Sequence, residues 1–177
     1  MKMPFYNVLN MLLTGLVFLG GCIVIYPNQA IVLFNNPIVK NITTGPEVVF
    51  TLSIFAVTYE LGLIINRIGS VIFEPLLKKS KLINFNNDYA KFNLAKERFP
   101  IMETLSREYA LSRTGISLFI ILAVIACLSN NYKLLIIFML ITIIYLLSCR
   151  KHSKKIIYLI NEYEEENKKV KQNDTAN

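Results

Sequence analysis

Apolar residues run almost unbroken through four stretches of the chain, roughly residues 8–26, 48–66, 114–129 and 134–149. Two of them, 114-TGISLFIILAVIACLS-129 and 134-LLIIFMLITIIYLLSC-149, contain no charge at all. A soluble domain would struggle to hide so much apolar side chain, whereas a bilayer accepts it without cost. The pattern predicts an all-α integral membrane protein with four transmembrane helices. The last two stretches fall short of the ~20 residues that a span needs, so their helices must continue into water as cytoplasmic extensions. Only 129-SNNYK-133 separates them, which makes a tight helical hairpin.

Local signals refine the boundaries. Thr44 with Glu47 fits a capping box, and Pro46 suits the first turn of the second helix. Pro75 is expected to end or kink that helix. In the connection of residues 67–113, residues 86–98 suit a short amphipathic helix lying at the membrane surface. Pro100 suits the start of a helix of about thirty residues, ~45 Å long, entering span three. In the tail, Ile156, Ile160 and Tyr163 fall at helical spacing, and Glu164–Lys168 and Glu165–Lys169 are i,i+4 pairs. Span four should therefore run on as a helix, with 173-NDTAN-177 frayed. Residues 1–150 form the transmembrane domain and residues 151–177 a cytoplasmic helical tail.

Composition agrees with the pattern: 54% of the 177 residues are hydrophobic, and mean hydropathy is +0.46. The net charge of +7 sets orientation rather than suggesting nucleic acid. Of the 19 Lys and Arg, all but Lys40 and Lys133 fall on one side of the four spans. The positive-inside rule then places both termini and the long connection in the cytoplasm. The run 150-RKHSKK-155 serves as an anchor on anionic lipid, so no direct nucleic-acid contact is expected. Cys22, Cys127 and Cys149 lie in or at the ends of apolar runs, which is neither a disulfide framework nor a metal pattern. The box 19-LGGC-22 partly matches the site before a lipidated cysteine, but 23-IVIY-26 stays apolar, which favours a retained span.

Charges inside an apolar stretch are the candidates for chemistry. In 59-YELGLIINRIGSVIFEPLLKK-79, Glu60, Arg67 and Glu74 are seven apart, drift only ~20° per step, and should form one helix stripe with Asn66 close by. Gly62 and Gly69 share that spacing on an adjacent face. With residue 48 at the outer boundary, Glu60 lies ~18 Å deep, within a ~30 Å core, and Arg67 reaches the inner interface at ~28 Å. An unpaired charge at that depth costs a few kcal/mol. Glu60 should therefore be protonated, pair with Arg67 or Arg113, or face a polar seam at the centre of a homo-oligomer, unless a shifted span leaves it close to the interface.

A second constellation, Glu103, Arg107, Glu108 and Arg113 in 103-ETLSREYALSRTG-115, suits a nucleotide phosphate or a cytoplasmic protein partner. It equally suits a solvated helix face against the lower part of helix two. With Glu74 these residues are the cytoplasmic interaction candidates. There is no HExxH, GxSxG, P-loop or CxxC, so no enzyme activity, cofactor or metal is expected.

The segment YELGLIINRIGSVIFEPLLKK followed by LSREYALSRTGISLFIILA resembles small bacterial four-span proteins in which an acid, an arginine and a second acid with proline precede an LSR-type helix. The resemblance covers residues 59–122. Such proteins look like those encoded among phage-defence genes, and the membrane subunit of the Kiwa system is similar in size and four-span plan. The resemblance implies a membrane-embedded sensor or effector of anti-phage defence, homo-oligomeric and coupled to a cytoplasmic partner. It carries over no catalytic residue. The residues alone also fit a small ion channel or transporter, or a membrane anchor for a cytoplasmic enzyme.

Overall fold

The computed structural model describes residues 5–37, 47–83 and 89–175. Every regular element among them is helical. Helix α1 (Phe5–Ile25) leads into a short α2 (Pro27–Asn35), and α3 (Glu47–Ile68) passes through a π-helical turn (Gly69–Phe73) into α4 (Glu74–Lys79). Then follow α5 (Tyr89–Arg98), α6 (Ile101–Leu128) and α7 (Tyr132–Thr175). Four of these stretches are long and apolar enough to cross a membrane: α1, Thr51–Lys79, α6, and α7 from Tyr132 to Lys168. The chain is thus an all-α, multi-pass membrane protein, its exposed Leu, Ile and Val side chains facing outwards where a bilayer would receive them.

The hub is α6, half of whose spanning window is enclosed, against about a fifth for the other three. Met102, Leu105, Tyr109, Ile116, Leu122 and Ala126 are all buried along it. Its partner α7 follows from the turn that the sequence marks. Asn130 takes a left-handed φ of 56°, its N–H bonds Cys127 O, and the Asn131 N–H reaches back to Ala126 O. That is a Schellman end, with asparagine in the place glycine usually fills. The Asn131 side chain then accepts from the Leu134 N–H at 3.4 Å as α7 begins.

Helices α1 and α3 cross where both lack side-chain bulk. A Cβ on Gly15 would overlap the Thr58 backbone, and one on Gly62 would overlap the Met11 backbone. Apolar burial gives little drive between helices in lipid, so such close backbone approach is how two spans gain contact. Thr58 and Thr14 remove their hydroxyls from the apolar interface by bonding carbonyls one turn back, Ile54 O and Asn10 O.

Several expectations meet a different outcome. Pro75 does not end its helix. It lacks an N–H, and the turn before it widens, with Glu74 N–H bonding Gly69 O five residues back. Helix α5 packs against α7: Ala95 is fully buried, and Lys91 and Arg98 reach Glu164 and Glu166 of α7 at 2.5 and 3.6 Å. Helix α2 is an element the pattern did not foresee, with Ile31, Val32, Leu33 and Phe34 exposed. Helix α6 has 28 residues, with Pro100 as its N-cap. Helix α7 runs through the tail to Thr175, past the point where fraying was expected. The capping box at Thr44 and Pro46 lies outside the described residues. Through Cys22, α1 continues unbroken to Ile25.

Candidate functional site

The polar residues of the second span do not share one face. Thr58, Gly62, Ile65 and Gly69 are the buried positions, at the i, i+4, i+7, i+11 spacing of a packing seam. Glu60 lies two residues from Thr58, ~200° round the helix, and Arg67 follows on the same side. Both are exposed, pointing away from the bundle, and neither forms an ion pair with a described residue. The pairing of Glu60 with Arg67 or Arg113 that spacing allowed is therefore not made. Asn66 leaves the stripe altogether: its Oδ1 accepts from the Thr114 hydroxyl of α6 at 2.8 Å.

Glu74 leaves the stripe too, and the π-helical turn is the cause. One extra residue in a turn rotates everything after it by ~100° relative to an uninterrupted α-helix. That carries Glu74 from the Glu60 face to the α6 side, where its carboxylate binds the Arg113 guanidinium and the Lys78 ammonium, the latter at 2.8 Å. The Tyr109 hydroxyl is buried against the same carboxylate.

Further along α6, Arg107 donates to Glu103 Oε1 at 2.7 Å while its guanidinium carbon lies 5.9 Å from the centre of the Tyr6 ring. Lys96 adds a longer contact to Glu103 at 3.7 Å. Glu108 stays half-exposed. It enters only through its backbone carbonyl, which accepts from Ser112, whose hydroxyl also meets Ser148 of α7 at 3.0 Å.

Between α1, α3 and α6 these residues border a cleft of about 270 Å³, beside the first turns of α1. From α1 come Asn7, Asn10 and Thr14, from α3 Asn66, and from α6 Arg107, Arg113 and Thr114. Glu74 and Glu103 hold the arginines from behind and are not part of the lining. The Arg113 Nε–H is buried, with no hydrogen-bond partner among the described residues.

The contribution of α1 carries a signal in the sequence. Asn7, Asn10 and Thr14 fall at i, i+3, i+7, one polar face on an otherwise apolar helix. Comparison with family models, with curated proteins and with solved structures gives no match for the chain.

Proposed function

We propose that this chain is a membrane-embedded sensor or effector subunit of a bacterial anti-phage system, assembled from copies of itself and coupled to a cytoplasmic protein. One observation carries the assembly: a glutamate well inside the apolar part of α3 faces outwards, with no partner among the described residues. An ionised acid facing lipid costs about 3 kcal/mol at the bilayer centre, so something polar must cover it. The exposed residues Ser53, Val57, Glu60, Ile64, Arg67 and Val71 alternate four and three apart, the spacing with which one helix packs on another. A neighbouring copy seated there buries Glu60 in a central seam. The clustering of basic residues, the long connection and the extended tail on one side supports a cytoplasmic docking face for the partner. The defence assignment is supported by the resemblance of residues 59–122.

Glu60→Gln and Glu60→Ala test the seam. Cross-linking in native membranes should give an oligomer for the parent chain and a monomer for Glu60→Ala. An unchanged oligomer in both variants overturns the seam. If proteoliposomes of the parent chain pass ions and both substitutions abolish the flux, the seam is a pore, as in a small channel. Flux indifferent to both changes rejects the pore. Phage challenge of cells carrying the gene and its neighbours tests the defence role, which fails if plating efficiency is unchanged.

A further inference from the structure

We infer that the cleft between α1, α3 and α6 is a binding site for an anionic phosphate ester bearing hydroxyl groups. The argument is independent of the assembly proposed above. It begins with which groups face the space and which do not. Arg107 and Arg113 line the cleft, whereas the carboxylates that pair with them lie outside the lining. The two guanidiniums are thus fixed from behind, and their remaining N–H groups are left for an acceptor in the cleft. Around this donor pair stand Asn7, Asn10 and Ser106, whose amide and hydroxyl groups both donate and accept, and Asn66, whose Oδ1 already accepts from Thr114. A bare anion would leave their acceptor oxygens unused, whereas a phosphate carrying glycerol or ribose hydroxyls engages both kinds.

Position selects the same chemistry. The cleft lies beside the first turns of α1 and where α6 passes from its charged first turns into its apolar run at Thr114. That is the depth at which phospholipid headgroups meet the hydrocarbon, and a volume of about 270 Å³ suits a headgroup or a nucleoside phosphate. Two sources therefore share the chemistry, an anionic phospholipid and a soluble nucleotide.

The test uses the full chain purified in detergent, with phosphatidylglycerol, phosphatidylcholine and ATP as separate probes. Binding is read by native mass spectrometry and by the rise in Tm. Retention of phosphatidylglycerol above phosphatidylcholine assigns the site to lipid, and saturable ATP binding assigns it to a nucleotide. Asn10→Leu fills the cleft without touching an ion pair, and should weaken whichever ligand binds by about tenfold. Arg107→Gln should do the same. Asn7→Leu is a third variant should either elute as an aggregate. Equal retention of all three probes overturns the site, as does binding that all folded variants keep at full strength.

Discussion

Glu74 brings two cations and a phenol to one carboxylate at the C-terminal end of the second span. Its side chain and that of Arg113 are only 16% and 14% exposed, so solvent cannot replace a lost partner well. Glu74→Gln should lower stability in detergent by about 2–4 kcal/mol, since it strands a buried guanidinium. Of the charged residues that the sequence singles out, the presence of Arg67 and Glu60 on one face was legible, because both precede the π-helical turn. The fate of Glu74 was not, since a heptad count assumes that every turn holds the same number of residues.

At the scale of the helix, the π-helical turn decides which surface each polar residue joins. Pro75 gave a sequence-level warning of irregularity, but proline specifies a missing donor and not how the backbone absorbs it. Deleting Val71, which is 71% exposed, would restore a regular α-helix and return Glu74 to the Glu60 side. The expected result is that the deletion destabilises the chain and that Glu74→Gln has no further effect in its background. A double-mutant cycle by thermal melting measures this, and additive costs would reject the rotation. The same reasoning explains what else periodicity concealed. The face Asn7–Asn10–Thr14 is regular but short of charge, so it hides among leucines and valines. By contrast the α6–α7 hairpin was fully legible, because SNNYK is too short to permit any other connection.

For the whole molecule, the four apolar runs settled the fold before any contact was known. What they left open was which helix sits at the centre, since α6 and α7 are equally apolar in sequence while only α6 is enclosed. Its serines and threonines make the difference: Ser112 reaches α7, and Thr114 and Ser117 reach α3 at Asn66 and Ile65 O, giving one helix polar ties to two neighbours. The orientation proposed from basic residues makes a direct prediction. In intact cells Lys133→Cys should react with a membrane-impermeant maleimide, whereas Lys155→Cys should react only after permeabilisation. Labelling both from outside would invert or break the topology.

Helix α7 unites the fourth span and the tail in one uninterrupted run of 44 residues, a rod of ~66 Å. If the short turn at Asn130 serves as a fulcrum, the stretch that pairs with α5 through Glu164 and Glu166 lies on the moving arm. A rod of that length moves its tip by ~1 Å for each degree of tilt at the fulcrum. A few degrees of leaning within the bilayer would therefore become a displacement of several ångströms among the tail residues. Such a stroke is on the scale of one helical turn, enough to break and remake the contacts of whatever is docked there.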